Sequence, residues 1–547
     1  MTLLELLREE AGEEGRTILL AASLAGFANA VILAMVNQAA QSQEGASVRL
    51  FVMVALAIAL YLVCARRTFG GTTAVIETAL LTIKRRIVEK IDRAELQGIE
   101  RIGSSEIYDR LTENVSVLSN AAVLIANLLQ SLCILVCATL YLASISLTAF
   151  VLLSMISVIG ISLYVLKNKE IGVYLAQAAE TRLAFLDRLS DLLDGFKEVK
   201  LSGRRSRELR EDITQTSRTL RAVTVKANNL FNGNWIFAQC ILYAMLVAVV
   251  FVLPQHVKLE ASTLPSLVGG VLFFWGPLSG VVGGVPAYMR SSVALANIQA
   301  LEKKLDEATR EVVAAEHAID PWHGSFSTIE ARNITFAYPA NEGSEVFRVG
   351  PASLTLAAGE VVFLVGGNGS GKSTLVKVLT GLYLATTGTL RASNVTVNAE
   401  NVAAYREMFS TIFSDFHLFS RLYGLLGVAP EAVLPLLRQM RIDDKTSFVD
   451  GRFTNRNLST GQRKRLAMVV TLLEDRPICV FDEWAADQDP EFRRYFYEEL
   501  VPALKQRGKT VLAVTHDDRY FHVADRVITM EQGKIRSITT SAATTPG

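Results

Sequence analysis

Cysteine is scarce, at five in 547 residues. Cys64, Cys133, Cys137 and Cys240 lie in apolar runs and Cys479 in a candidate strand. This gives no case for a disulfide framework, and all five read as small packing residues rather than metal ligands. Net charge is nearly absent too. Lysine and arginine number 55 against 54 aspartates and glutamates, which leaves +1, so no global field draws nucleic acid and no nucleic-acid partner is expected. Charged residues make up only 20% of the chain while half of it is hydrophobic, and the mean hydropathy is +0.31. That balance points away from a purely soluble protein, and the length exceeds one ordinary domain. A cleavable leader is not expected either. The opening "MTLLELLREEAGEEGR" is amphipathic and acidic, with no clear small-residue cleavage site after it, and reads as a cytoplasmic lead-in helix.

Charge is also missing where an ion-driven carrier needs it. Six runs approach the roughly 20 apolar residues of a spanning helix: about 17–40, 48–65, 119–142, 146–166, 230–252 and 264–288. None holds Lys, Arg, Asp or Glu deep in its middle, which favours an energy source outside the membrane. Links after the first, third and fifth runs are short. Those after the second and fourth are long and charged ("IKRRIVEKIDR", "FKEVKLSGRRSRELREDITQ"), and Lys258 is nearly alone on the opposite side. The positive-inside bias then puts both termini and the long links in the cytoplasm. Leu186, Leu189, Leu192 and Leu193 keep helical spacing in the second long link, so the spans are expected to continue as cytoplasmic helices. "KRR" and "GRRSR" read as a solvated, topology-setting face with some headgroup contact.

Gly276, Gly280 and Gly284 recur every four residues in the sixth run. They suit close helix packing, or flexibility for gating together with Pro277 and Pro286. Trp235, Gln239, Phe274 and Trp275 could line a cargo cavity, and the two tryptophans could equally be interface anchors.

Character changes over 301–325, a charged helix and then a turn at Pro321–Gly324, read as a linker between a membrane domain (1–300) and a soluble α/β domain (326–547). "GEVVFLVGGNGSGKSTLVKVLTGLY" reads as strand, loop and helix, and Gly366 to Ser373 fits the phosphate-loop pattern. Gly366, Gly369 and Gly371, with Asn368 and Ser370 between them, let backbone N–H groups ring phosphates. The helix start adds its positive end. Lys372 supplies charge, Ser373 a hydroxyl for Mg²⁺, and Thr374 supports the loop. In "RPICVFDE", Asp482 ends a buried strand, where open α/β sheets take ligands, and can hold Mg²⁺. Glu483 can orient the attacking water.

With these residues in order, the chain resembles the ATP-binding cassette superfamily over nearly its whole length: a six-helix membrane domain fused to one α/β P-loop cassette, the build of an exporter half-transporter. The resemblance implies ATP and Mg²⁺ as cofactors and two chains sandwiching two ATP molecules. "LSTGQRKR" (458–465) resembles the signature motif, so Ser459, Thr460, Gly461 and Gln462 would face ATP held by the partner. Tyr338 resembles the adenine-stacking aromatic, and His516 the switch histidine. "AADQD", which ends at Asp489, resembles the loop that links the two sites. Two departures stand out: Thr460 replaces the second signature glycine, and Ser414 in "FSDFHLF" stands at the glutamine-loop position, which puts coupling to transport in question.

Taken together, these motifs resemble the bacterial cyclic-peptide exporters, those of lasso-peptide microcins, pyoverdine-type siderophore precursors and syringomycin-type lipopeptides. The resemblance implies a homodimer in the inner membrane, surrounded by lipid, that exports a peptide-like cargo. In that scheme Lys372, Glu483 and His516 carry hydrolysis, and "RIGSSEIYD" and "LSGRRSREL" are contact points for the cassettes. Rival readings are a lipid or small-drug exporter and an ATP-gated sensor that moves nothing. The sequence names neither the cargo nor a periplasmic partner.

Overall fold

The computed structural model describes residues 3–41, 47–256, 263–309, 319–338 and 347–540. It divides into two compact units, residues 1–92 with 99–307 and residues 93–98 with 308–547.

The first unit is all helix. Its long members are α1 (Leu3–Gln41), α2 (Val48–Arg93), α3 (Val115–Ile145), α4 (Leu147–Asp194), α5 (Gly203–Val247) and α6 (Thr263–Ala308). A helix of 46 residues, such as α2 or α6, rises about 69 Å, over twice the ~30 Å hydrocarbon layer. Both long links are helical. Gly12, at φ 44°, breaks the lead-in from the rest of α1. Ser146 caps α4, its Oγ accepting from the Ala149 N–H, and so closes the α3–α4 hairpin.

Among the described residues, five helices are long and apolar enough to cross a membrane: Gly12–Ala39, Val48–Arg93, Ser104–Ile145, Gly203–His256 and Thr263–Ala308. The expected span at 146–166 falls in α4, whose apolar stretch among the described residues is Leu147–Gly160. The expected six spans are thus met by five helices on length and apolarity. Lys258 lies outside the described residues.

The glycine spacing in α6 has a packing consequence. A Cβ at Gly280 would stand 2.1 Å from Ser131 Oγ, and one at Gly284 would stand 2.6 Å from Leu128 Cβ, both on α3, whereas Gly276 faces open space. Two of the three glycines therefore let α3 and α6 approach closely. Pro277 and Pro286 sit inside an unbroken α6. Trp235 and Trp275 meet edge to face, with centroids 5.9 Å apart.

The second unit is α/β. One sheet is antiparallel, in the order β2 (Arg348–Ala357), β1 (Thr328–Ala337), β4 (Thr387–Ala392), β5 (Val395–Thr396). The larger sheet contains β3 (Val361–Gly366) and β6 (Phe409–Ile412). A small hairpin, β7 (Phe448–Val449) and β8 (Arg452–Phe453), stands apart from it. The remaining strands are β9 (Ile478–Asp482), β10 (Thr510–Val514), β11 (Arg526–Glu531) and β12 (Lys534–Thr540), in the sheet order β12-β11-β3-β10-β9-β6. All its pairs are parallel except β11 with β12.

Alternation along the central strands divides two cores. Val361, Phe363, Val365, Cys479, Phe481, Val511 and Ala513 face one side. Val362, Leu364, Ile478, Val480, Leu512 and Val514 face the other, with Leu375, Val376, Val378 and Leu379 of α7 (Lys372–Leu379). Each fully buried large side chain contributes about 1.5–3 kcal/mol. Burial pushes the Cys479 thiol up to about 12, consistent with an inert packing residue.

Candidate nucleotide site

Strand register brings the site together. Leu364, Val514 and Asp482 are cross-strand neighbours on β3, β10 and β9. The residues that follow them, Gly366, His516 and Glu483, therefore leave the carboxyl edge of the sheet side by side. Asp482 lies two and four residues after Val480 and Ile478, so strand alternation aims it at the α7 side.

Gly366 has φ 149°, and a Cβ there would stand 2.2 Å from the Met530 carbonyl oxygen. At Gly371 φ is 92°, and a Cβ would stand 2.8 Å from Val349 Cγ2. Both positions exclude side chains, by backbone angle and by space. Lys372 is buried, and its Nζ donates to the carbonyls of Gly366 (3.0 Å) and Gly367 (2.9 Å). Burial pushes its ammonium below the ordinary lysine value, against the attraction of Glu483 and Asp482. Ser370 Oγ is buried with no hydrogen-bond partner.

Asp482 is 1% exposed, and neither carboxylate oxygen accepts a well-formed hydrogen bond. Burial raises its pKa above the ordinary carboxylate value, while the Ser373 hydroxyl, the Ser414 backbone and Lys372 pull it back toward the charged form. A buried carboxylate so weakly satisfied is costly unless a cation meets it. Beside the Ser373 hydroxyl these oxygens fit Mg²⁺, which takes one or two carboxylates and completes its shell with water and phosphate. Among the described residues, no group of three His, Cys, Asp or Glu side chains forms a metal site alone.

Glu483 adopts φ 52°. Its N–H donates to Val514 O (3.1 Å), and Oε1 lies 3.3 Å from His516 Nε2. His516 is held from both flanks, because the Tyr497 hydroxyl contacts Thr515 Oγ1 (2.6 Å) and donates to Asp517 (2.9 Å). Ser414 follows β6 and is exposed. It meets Asp482 through its backbone, not through the side chain that takes the glutamine's place.

Tyr338 is half-buried. Its hydroxyl lies 3.1 Å from Thr374 Oγ1, and its ring meets Phe336 and Tyr383 edge to face at 5.2 and 6.0 Å. The expected adenine platform is thus tethered to the phosphate helix.

Ser459 caps α8 (Thr460–Glu474) and forms a reciprocal capping box with Gln462. Ser459 and Thr460 are exposed. Gly461 is confined, since a Cβ there would stand 2.6 Å from Asp487 O. Asp489 accepts from the Phe492 N–H (2.9 Å) and pairs with Arg465 (2.5 Å), and these two hold its carboxyl below the ordinary value. Among the described residues, no hydrogen bond or ion pair joins Ser459, Thr460, Gly461, Gln462 or Asp489 to the phosphate loop. The chain thus gathers Gly366–Thr374, Ser414, Asp482, Glu483 and His516, while the signature residues and Asp489 form a second group.

Lys464, Trp484, Tyr497 and Asp517 escaped the sequence reading. Ser-x-x-Gln at 459–462 carried a readable capping signal, whereas the burial of Lys464 depends on residues twenty positions away.

Residues 17–274 match the family profile described as ABC transporter transmembrane region, and 349–486 match the one described as ABC transporter. The ATP-binding protein SyrD of Pseudomonas syringae pv. syringae is 32% identical over 532 residues, covering 95% of this chain and 93% of that protein. The macrolide export ATP-binding/permease protein MacB of Shigella sonnei is 34% identical over 228 residues, covering 38% of this chain and 34% of MacB. The structure of a bacterial Atm1-family ABC exporter with ATP bound superposes with a TM-score of 0.74 at 18% identity, covering 98% of this chain and 95% of that one. At that identity the likeness shows the fold alone.

Proposed function

The chain belongs to the ABC transporter family, as a multi-pass membrane protein and ATP-hydrolysing exporter with membrane and ATP-binding regions in one polypeptide, and on that premise we propose that it exports a cyclic or modified peptide from the cytoplasm. The observation that carries the reading is similarity to SyrD along 95% of the chain. The motif resemblance to cyclic-peptide exporters supports it, and in this reading the protein sits in a bacterial inner membrane with both termini cytoplasmic. We take 1–300 as the membrane domain, 301–325 as the linker and 326–547 as the nucleotide-binding domain.

Two cavities in the helical unit bear on cargo. One of about 510 Å³ is lined by Asp109, Arg110, Glu113, Arg182 and Arg290, with asparagines between them. The other, about 240 Å³, is apolar and lined by residues such as Leu142, Phe150, Leu153, Met245 and Phe274. The first is within the roughly 300–1,000 Å³ of small-ligand pockets and charged, and the second is smaller and apolar. Both suit an acylated peptide, and the apolar one favours a second reading, lipid export.

In this reading two copies pair: among the described residues no hydrogen bond or ion pair joins the signature group to its own phosphate loop, and it would reach the partner's ATP. Lys372 and the loop N–H groups bind the phosphates, and Tyr338 packs against adenine. Ser373 and Asp482 would hold Mg²⁺, which when bound neutralises charge on the phosphate oxygens. Glu483 orients the attacking water, and His516 holds Glu483 and meets the γ-phosphate. Binding at the paired interface biases the closed state, and hydrolysis resets it.

The test uses inside-out vesicles. A cyclic lipopeptide should accumulate only with ATP and stop accumulating in Glu483→Gln. ATP-dependent movement of labelled phospholipid, with none of peptide, would favour the lipid reading, and full turnover with no movement of either would favour the sensor.

A further inference from the structure

Lys464 is a buried cation that the hydrolytic scheme leaves unused. Its side chain is 4% exposed, a rare state for lysine. Nζ donates to the Glu483 carbonyl (2.6 Å) and pairs with Asp487 Oδ2 (2.6 Å). The Lys464 carbonyl accepts from buried Trp484 Nε1 (2.9 Å). The next turn continues the lacing: Arg465 Nε donates to Gln488 (2.8 Å), and Gln488 Nε2 donates to the Gly461 carbonyl (3.1 Å). The first turns of α8 are therefore bonded to the segment 483–489.

The consequence falls on Glu483. A non-glycine residue at φ 52° is strained and persists only when its surroundings enforce it. Here its N–H is held by Val514 and its carbonyl by Lys464. Those two bonds fix the peptide planes on either side of the Glu483 Cα, and with them the direction in which its carboxylate leaves the backbone.

We propose that Lys464 is a positioning residue for hydrolysis, setting Glu483 through its carbonyl and tying that setting to the helix that begins at Ser459. This rests on the reading that Glu483 orients the attacking water. A shift of the signature end against nucleotide on the partner chain then reaches the Glu483 carbonyl of its own chain through the Lys464 ammonium, while the Trp484 and Gln488 bonds carry the rest of the segment with it. Charge-assisted bonds of this kind are the strong ones, so the link is stiff enough to transmit displacement.

The experiment compares Lys464→Met and Lys464→Arg in the full-length protein in lipid, each with Glu483 intact and with Glu483→Gln. A misplacement of about 1 Å costs about 100-fold in rate, so Lys464→Met should lower kcat about 10- to 100-fold, with KM for ATP changed less than about twofold. Lys464→Arg, which keeps the donors and charge, should recover most of the rate. In the Glu483→Gln background, Lys464→Met should cause no further loss, because coupled residues are non-additive. An unchanged kcat, a loss carried by KM, or the same loss in both backgrounds would overturn the proposal. Nucleotide binding followed by thermal shift shows that each variant is folded. Full turnover by Glu483→Gln alone would instead remove the reading of Glu483 on which the proposal stands.

Discussion

Replacing Asp482 by asparagine should stabilise the nucleotide-free protein while abolishing turnover. The carboxylate is 1% exposed and only weakly satisfied, with the Ser373 hydroxyl and the Ser414 backbone beside it, and a buried charged group left so costs about 1–3 kcal/mol. Asn removes the charge at nearly the same volume. At about 2–4 °C per kcal/mol for a unit of this size, the melting temperature should rise by about 2–12 °C. The pH dependence has a definite sign. Burial raises the folded pKa above the ordinary aspartate value of 3.8, so the contribution of Asp482 is fully present below that value and is lost as pH rises through the folded pKa. The advantage of Asn should therefore be small near pH 4 and full at neutral pH. Mg-ATP reverses the order, stabilising the wild type by mass action and the Asn variant much less. Tryptophan-fluorescence melts at the two pH values, with and without Mg-ATP, make the comparison. A lower melting temperature for Asp482→Asn at neutral pH without nucleotide, or the same shift at both pH values, would refute the reasoning.

Other substitutions probe the same site. Glu483→Gln should reduce ATP turnover at least about 100-fold while preserving ATP binding, read by phosphate release beside nucleotide retention. Gly461→Ala places a Cβ 2.6 Å from the Asp487 carbonyl, so it should destabilise by about 1–3 kcal/mol and depress turnover, both visible in a melt and a rate assay. Ser414→Ala keeps the backbone that meets Asp482. Its effect on hydrolysis therefore measures the hydroxyl alone: slower turnover assigns it a water-bridged metal contact, and unchanged turnover and transport remove it from the site.

What could be read from residues alone divides along a physical line. The phosphate loop and the "CVFD" strand were legible because their signals are local: glycines that tolerate positive φ, an apolar run, and carboxylates after it. The pairing of Leu364, Val514 and Asp482 across three strands agrees with where those signals placed the site. Tyr338 was legible as an aromatic near the loop, but its bond to Thr374 needs the sheet and helix together. Lys464 was illegible for the same reason. In sequence it is one member of an exposed-looking "RKR", and only the turn at 483–487 buries it. The span at 146–166 shows another limit, since hydropathy locates an apolar run and the helix that contains it runs on to Asp194.

The central claim is that ATP is clasped between two copies, with the phosphate loop of one chain meeting the signature helix of the other. Its most direct measurement places cysteines at Asn368 and Ser459 of a Glu483→Gln chain whose five native cysteines are replaced by alanine or serine, in lipid, and treats it with a short bifunctional thiol reagent, each single-cysteine chain serving as control. The account predicts a cross-linked species of twice the chain mass that forms with Mg-ATP and not without nucleotide. Absence of that species under conditions where the Glu483-intact chain hydrolyses ATP would contradict it.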